Sequence, residues 1–263
     1  MAGIYDTHCH LNDNIYIENE ISSAEMAKEA KINGVDFINN VGYDIKSSKV
    51  ALVQAQKNKN VFALVGIHPT QAHLFTDEAL ETLNTLAHAD KVVGIGETGL
   101  DYFREGQKYK EQQIKFLRAH IKIAKKMKLA LSLHIKDKEG SFEAYKDVLK
   151  VLKEEKYFKA VVHSFHSTLE VAEMFMEKGI FIAINGHVTK DNQLQKVVKD
   201  IPMNFLVVES DAPYETPKPY AKKTNAPKYI GLVVDSIANI KKLSKDNIAE
   251  ITADNAKKLF WNK

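Results

Sequence analysis

His8 and His10 stand two residues apart near the end of a short run of β-forming residues. Because side chains alternate between the two faces of a strand, both imidazoles point to one side and Cys9 to the other. Two imidazoles that converge on one point are a common arrangement of metal ligands. The same spacing also arises by chance, so the pair indicates a metal site and leaves a structural role open.

Short β-rich runs alternate with longer amphipathic runs along the whole chain. In the helical runs, apolar residues such as Ile114, Leu117 and Ile121 recur on one face. The strands are mostly continuous apolar runs, which is typical of parallel strands covered on both faces. Eight strands are predicted, at residues 3–8, 35–41, 61–67, 92–97, 130–135, 160–165, 179–185 and 204–210.

The length and composition favour one globular domain. The chain has 263 residues, 44% hydrophobic and 27% charged, with no linker, repeat or low-complexity tract. Eight β-then-α units over residues 1–263 predict a single (β/α)8 TIM barrel, a fold that typically needs about 250 residues. A doubly wound open sheet is the alternative. A long proline-containing loop is expected at 211–228, after strand eight, followed by a C-terminal helix with Ser244 as its N-cap.

Charge and cysteine content exclude several classes of protein. The net charge of +3 is too small to indicate a nucleic-acid or membrane partner by itself. The single cysteine, Cys9, excludes an intrachain disulfide. The N-terminus does not resemble a signal peptide, and no apolar run approaches the roughly 18 residues of a membrane span. We therefore expect a cytoplasmic monomer without a membrane partner.

A barrel would bring the predicted strand ends together. The carboxyl ends of all strands meet at one mouth, where active sites form. Each polar residue there could alone be a hydrogen-bonded core residue or a cap, but burying the whole set without a cation would be costly. The residues expected to converge are Asp6, His8, His10, His68, Glu97, His134, His163 and Asp211.

The number of candidate ligands indicates more than one metal ion. A catalytic zinc ion usually takes about three protein ligands, fewer than this chain offers. Two ions about 3.5–4 Å apart, bridged by a carboxylate and a hydroxide, would use the whole set. Nitrogen and oxygen donors without a thiolate suit Mg, Mn, Zn, Co or Fe alike. The predicted ligands are His8, His10, Glu97, His134, His163 and Asp211.

Six short blocks of sequence surround these residues. They are DTHCHL at 6–11, GIHP at 66–69, GIGETGLDY at 94–102, LHI at 133–135, VHSF at 162–165 and ESDAPY at 209–214. In this order, and over essentially the whole chain, they resemble the TatD family of metal-dependent deoxyribonucleases. The resemblance implies an amidohydrolase-like barrel that hydrolyses phosphodiester bonds, often as a 3′→5′ exonuclease.

The resemblance also implies a role for each ligand. The carboxylate of Glu97 would bridge the two ions. One ion would be completed by His8, His10 and Asp211, and the other by His134 and His163.

The chain departs from the family pattern at three places. The usual His-Cys-Phe-Ser-Gly after strand six is His163-Ser-Phe-His-Ser167, the usual Asn-Glu-Pro is Asn225-Ala-Pro227, and Lys136 replaces an arginine. None of these departures removes a metal ligand. They therefore concern the contacts with substrate.

The predicted reaction is hydrolysis of DNA, or of RNA, by a hydroxide that bridges two ions. Glu97 and Asp211 are the predicted catalytic residues, with Asp211 as proton carrier. Basic and aromatic side chains near the mouth would hold the phosphates and stack on the bases. Glu209, like Asp101 and Asn12, could instead orient a ligand histidine. The predicted substrate contacts are His68, Tyr102, Arg104, Lys136, Glu209, Lys222 and Lys223.

Two other functions are compatible with the same residues. The centre could hydrolyse another ester or an amide, such as an aminoacyl-tRNA ester or a small phosphoester. A non-enzymatic binding module is the third reading, which a missing ligand would indicate. The remaining histidines lie away from strand ends and are expected at the surface or in structural contacts: His73, His88, His120, His166 and His187.

Overall fold

Eight parallel strands form a nearly closed barrel in the computed structural model, which describes residues 3–103 and 106–262. Each strand pairs with its neighbours in chain order. Backbone hydrogen bonds from His10 N to Ala212 O (2.7 Å) and from Asp211 N to His8 O (2.9 Å) join the first strand to the segment after the last. The strands are β1 (Ile4–Cys9), β2 (Val35–Val41), β3 (Val61–Val65), β4 (Val92–Asp101), β5 (Ala130–Lys136), β6 (Ala160–Val162), β7 (Phe181–Ile184) and β8 (Leu206–Val208).

Helices surround the barrel, and several begin at side-chain caps. Ser22 and Glu25 form a capping box, and Ser244 Oγ accepts from Asn247 N at the last helix (3.1 Å). Short 3₁₀ helices follow β3 and β7, at Pro69–Leu74 and Gly186–Thr189. The α-helices of the described residues are α1 (Asn14–Glu18), α2 (Ser23–Ile32), α3 (Ile45–Lys57), α4 (Asp77–Leu86), α5 (Lys110–Met127), α6 (Glu143–Glu155), α7 (Leu169–Met176), α8 (Asn192–Asp200), α9 (Gly231–Lys241) and α10 (Lys245–Phe260).

The buried apolar residues form two layers. The larger layer lies between the strands and the helices. The smaller one takes at least one residue from every strand and continues into α10, so it fills the inside of the barrel. At its base the rings of Phe260 and Trp261 pack on Tyr5, 6.2 Å and 5.5 Å between centroids. The apolar filling leaves the carboxyl ends of the strands to polar side chains.

Asp6 departs from the expected alternation. The pairing of β1 with β2 changes register between Asp6 and Cys9, and Tyr5 already occupies the inner layer. The Asp6 carboxylate accepts hydrogen bonds from Ser210 N (2.8 Å) and Ser210 Oγ (2.6 Å). Asp6 therefore holds the segment after β8 and does not face the pocket, because the irregular register turns its side chain away.

The fold predicted from sequence is otherwise confirmed. All eight strands lie where they are expected, with ends that differ by a few residues. Between β8 and the short 3₁₀ helix at Pro227–Tyr229 the chain forms turns and bends only, and α10 is the expected C-terminal helix. No helix in the described ranges is both long enough and apolar enough to cross a membrane.

Candidate metal centre

The carboxylate of Glu97 lies at the centre of a ring of imidazoles. Glu97 sits on β4, inside the mouth of the barrel, and is buried. Its Oε1 atom is 2.9 Å from His134 Nδ1, 3.2 Å from His163 Nε2 and 3.3 Å from His68 Nε2. These histidines come from β5, from the end of β6 and from the segment after β3. Side chains from three other strands thus face one oxygen of the Glu97 carboxylate.

The other oxygen of Glu97 faces β1. Its Oε2 atom lies 3.6 Å from His10 Nε2 and 3.7 Å from His8 Nε2. The same nitrogen of His10 is 3.9 Å from Asp211 Oδ1. Asp211 reaches this position with φ 54°, in the left-handed region, where its backbone N–H donates to His8 O (2.9 Å). The strand-end residues predicted as ligands are therefore brought together.

A partner outside the cluster holds each of the two β1 histidines. His10 Nδ1–H donates to Val41 O (2.8 Å), which leaves the lone pair on Nε2 and directs it toward Glu97. His8 Nδ1 shares a hydrogen bond with Ser132 Oγ (3.1 Å). The two Nε2 atoms then face each other at 3.2 Å. A lone pair directed inward in this way, as on His10 Nε2, is the donor that a metal ion requires.

Carboxylates hold the two histidines on the opposite side. His163 Nδ1–H donates to Glu209 Oε1 (3.1 Å), and His134 Nε2–H donates to Asp101 Oδ2 (3.0 Å). Glu209 Oε1 also accepts from Ser164 N (2.6 Å). The orienting role considered for Glu209 and Asp101 matches these contacts, because a carboxylate on the outer nitrogen fixes the ring and its tautomer.

The charges of the cluster are set by burial and by its neighbours. Burial raises the pKa of the Glu97 carboxyl, but His68 and His163 outweigh it and hold the pKa well below its ordinary value. Burial lowers the pKa of His8 and of His10, so both imidazoles are neutral. For His163, Glu209 and Glu97 outweigh burial and raise the pKa well above its ordinary value. The cluster thus combines the charged carboxylate of Glu97 and the neutral imidazoles of His8 and His10 with a raised pKa at His163.

One unsatisfied polar atom shows that the cluster fits metal ions. Glu209 Oε2 is buried without a hydrogen-bond partner in the described part of the chain. An orphaned carboxylate oxygen beside facing imidazole nitrogens is costly unless a cation neutralises it. Ligand atoms within 4.8 Å of one another form three groups: His8, His10 and Asp211; His8, His163 and Glu209; and His68, Glu97 and His134.

The cluster opens into a cavity of about 1080 Å³ at the mouth of the barrel. Lys136, a predicted substrate contact, lines this cavity, and its Nζ lies 4.8 Å from the centre of the Phe103 ring. His68 lines it too, but its Nε2 atom also faces Glu97. The histidine assigned to substrate from the sequence therefore belongs equally to the metal-binding groups.

Two predicted substrate contacts require correction. Tyr102 is 1% exposed and packs in the core between barrel and helices, where its hydroxyl donates to Asp147 Oδ2 (3.0 Å) on α6. It cannot stack on a base, because the chain turns its ring away from the mouth. Glu209 is completely buried behind His163 and is a positioning residue instead of a substrate contact.

The remaining predicted contacts lie in two loops. Lys222 and Lys223 are exposed and are not among the described residues that line the cavity. Lys223 Nζ lies 5.1 Å from the centre of the Tyr220 ring, in the loop after β8. Arg104 lies outside the described residues.

Sequence reasoning did not assign two histidines of the cavity. His166 and His187, expected at the surface or in structural contacts, both line it. His166 follows the end of β6 by four residues and His187 follows the end of β7 by three, and sequence reasoning assigned neither to a strand end. The only signal in the sequence is the departure at His166 from the serine of the family pattern. Asn12, considered as an orienting residue, donates to Ser47 O (3.0 Å) and contacts no ligand histidine through this bond.

A TIM barrel with imidazoles and carboxylates clustered at the carboxyl ends of its strands has the architecture of a metal-dependent hydrolase. The chain matches the family described as TatD related DNase over residues 5–261, and it belongs to the TatD family. This confirms the resemblance inferred from the sequence.

Individual relatives are similar to this chain over almost its whole length. YabD of Bacillus subtilis, named as an uncharacterized metal-dependent hydrolase, is 34% identical over 261 residues, which cover 98% of each protein. A human protein named deoxyribonuclease TATDN3 is 28% identical over 270 residues, covering 98% of this chain and 95% of that one. The solved structure of YJJV, a TatD homologue of Escherichia coli, has a TM-score of 0.88 at 26% identity, covering 99% of this chain and 98% of that one.

Proposed function

We propose that this metal-dependent hydrolase cleaves phosphodiester bonds in DNA and removes nucleotides from the 3′ ends of single strands. The observation that carries the proposal is the cluster around Glu97, which lies at the base of a wide cavity. The family description as DNase, and the name of the human relative, support the choice of DNA.

The two oxygens of Glu97 divide the donors into two sets. We assign one divalent ion to the β1 side, with His8, His10 and Asp211. We assign a second to the opposite side, with His134 and His163. Bound ions would lower the pKa of a water molecule and neutralise charge on the phosphate.

Asp211 is the proposed proton carrier. Its carboxylate lines the cavity, and its Oδ1 atom lies 3.9 Å from His10 Nε2. One carboxylate oxygen can accept the proton that the attacking water releases as the new P–O bond forms. It can return that proton to the O3′ atom as the old P–O bond breaks. Asp211 thus takes one proton from the water and gives one proton to the leaving O3′ atom, so its own protonation state is unchanged after the reaction.

The walls of the cavity suit a nucleotide strand. Lys136 offers a positive charge to a phosphate, and Phe103 and Tyr214 present exposed rings. Phosphate contacts of this kind position a strand without reading its sequence, and exposed rings can stack on any base. We therefore expect cleavage with little dependence on base sequence.

The test is cleavage of single-stranded DNA carrying a label at its 5′ end. The protein is treated with a chelator, and Mg, Mn, Co or Zn is then added back. We expect a ladder of products shortened from the 3′ end, restored only by metal and lost in Glu97→Ala. Glu250→Ala is the matched control, because Glu250 is exposed on α10.

The outcomes separate the alternatives. Absence of cleavage by protein that binds two metal ions per chain would overturn the choice of DNA and favour another ester or amide as substrate. Equal cleavage by Glu97→Ala and the unmodified protein would exclude the Glu97 centre altogether. Products that appear first in the middle of the strand would refute the 3′ exonuclease assignment.

A further inference from the structure

Two histidines outside the metal-binding groups stack at the rim of the cavity. The rings of His166 and His187 are 4.9 Å apart between centroids and inclined by 13°. Both residues line the cavity that contains Glu97. Their side chains are accessible, at 54% and 28% exposure. They form a site that the hydrolysis described above does not use.

Contacts between two loops bring these rings together. Ser164 and Asn185 each precede one of the histidines by two residues, and Asn185 Nδ2 donates to Ser164 Oγ (2.8 Å). Asn185 Oδ1 accepts from His187 N (3.1 Å), which begins the 3₁₀ helix after β7. The loops after β6 and β7 are therefore fastened to each other just before the two rings.

A third loop closes against them at Gly186. A Cβ atom on Gly186 would lie 1.8 Å from Glu215 O, so only glycine permits this approach. Glu215 itself has φ 53°, in the left-handed region. This tight contact places the Glu215 side chain beside His187. The site is thus built from the loops after three successive strands.

Each ring is paired with a carboxylate through the same nitrogen. His166 Nε2–H donates to Asp191 Oδ2, and His187 Nε2–H donates to Glu215 Oε2, both at 2.6 Å. Asp191 is fixed by its role as N-cap of α8, and Lys190 Nζ lies 3.6 Å from Glu215 Oε2. With both rings protonated, the three cations exceed the two carboxylates by one charge.

The other nitrogen of each ring is available to a ligand. Within the described residues, Nδ1 of neither His166 nor His187 has a hydrogen-bond partner. An anion at Nδ1 requires the imidazolium form of the ring, in which both nitrogens donate. The groups of described residues that could hold a metal ion do not include either histidine. In the imidazolium form the two free Nδ1–H groups suit an anion of single charge.

We propose that His166 and His187 bind a phosphodiester group of the nucleotide strand next to the one that is hydrolysed. This inference rests on the proposed function, because it assigns a second phosphate of the same substrate. Both rings line the same cavity as Glu97 and His163, and His166 follows His163 by three residues, so a strand held at the metal centre can reach them.

The test compares a long and a short substrate. The double variant His166→Gln, His187→Gln keeps side chains that can donate but cannot be protonated. We expect its kcat/KM for a single-stranded trinucleotide to fall about tenfold, mainly through KM, which is the loss expected for charge-assisted hydrogen bonds. Hydrolysis of bis(p-nitrophenyl) phosphate, which has only one phosphate, stays unchanged. His88→Gln, at an exposed histidine just after α4, is the control.

A neutral phosphate provides the second comparison. A methylphosphonate next to the scissile bond removes the charge that the histidines recognise. It should lower kcat/KM of the unmodified protein about tenfold and abolish the difference between that protein and the double variant. An equal loss on the small substrate, or a difference that survives the methylphosphonate, would overturn the proposal.

A binding measurement separates this inference from the proposed function. In protein with ¹⁵N-labelled histidine, inorganic phosphate should shift the imidazole signals of His166 and His187, which the two Gln variants identify. Shifts in a protein that cleaves no DNA would refute the nuclease and leave the phosphate site standing. Cleavage of DNA without shifts, and without an effect of the double variant, would refute the site alone.

Discussion

His120 provides a sharp test of how the helices support the metal centre. It lies on α5, fully buried, where Nδ1–H donates to Phe116 O (2.8 Å) and Nε2 accepts from Ile67 N (3.0 Å). The second bond holds the residue before His68, which faces Glu97. Burial lowers the pKa of His120 from 6.5 to about 4, so the folded protein keeps this ring neutral.

The lowered pKa makes stability depend on pH. Between pH 6.5 and 4 the unfolded chain protonates His120 and the folded protein does not, so the free energy of unfolding falls as the pH falls. Each pH unit in this window is worth about 1.4 kcal/mol. The loss from this residue reaches about 2 kcal/mol at pH 5 relative to pH 7 and about 3.4 kcal/mol well below pH 4.

Replacing His120 by leucine removes this dependence and leaves Ile67 N–H buried without an acceptor. At pH 7 we expect His120→Leu to be less stable by about 1–3 kcal/mol. At pH 5 the difference in the free energy of unfolding between the two proteins should be smaller by about 2 kcal/mol. The reason is that only the unmodified protein loses stability when His120 is protonated in the unfolded chain. The measurement is urea unfolding followed by circular dichroism at both values, in the presence of chelator so that metal binding does not contribute. His88→Leu, at an exposed site, is the control. A gap of the same size at pH 5 and pH 7 would refute the reasoning.

Three further predictions concern the cavity. Asp211→Asn should retain part of the metal binding but lower kcat about a hundredfold. Calorimetry with the metal alone measures the binding, and steady-state kinetics measure kcat. Full activity would contradict the role of Asp211 as proton carrier. Lys136→Ala should reduce the slope of log(kcat/KM) against log[salt] on single-stranded DNA by about 0.7. Lys222→Ala, outside the lining of the cavity, should leave this slope unchanged. Equal effects of the two substitutions would contradict the assignment of Lys136 to a phosphate. Gly186→Ala should lower the free energy of unfolding by about 3 kcal/mol, because the added Cβ would collide with Glu215 O. Urea unfolding at neutral pH measures this change, and an unchanged stability would contradict the prediction.

The barrel could be predicted because its signals are periodic and repeated. Continuous apolar runs mark parallel strands, and eight of them spaced as βα units leave few other folds. The face of the strand on which each side chain lies is predicted less securely, since it depends on the register of strand pairing. Alternation places Asp6 with His8, but the irregular pairing of β1 with β2 turns Asp6 toward Ser210. A single change of register is invisible in the residue types.

Residues at strand ends can be placed from the sequence more securely than residues in loops. Glu97 and His134 could be placed at one mouth because strand ends have a fixed position in a barrel. Tyr102 directly follows β4, yet its ring turns into the core, because the backbone leaves the strand there. His166 and His187 meet only through contacts between loops. Such contacts have no sequence period, so neither their presence nor their absence could be read in advance.

The partners of the ligand histidines show how the fold and the chemistry depend on each other. His8 on β1 is held by Ser132 of β5, and His10 by Val41 of β2. Across the barrel, Glu209 after β8 holds a ring that follows β6. Each of these three imidazoles is thus held by a different strand or segment from the one that carries it. A ligand can point at Glu97 only when distant strands have already paired, so the donor set exists in the closed barrel and not in any single βα unit. This explains why the residues are spread along the whole chain, and why no local motif would suffice to bind the ions.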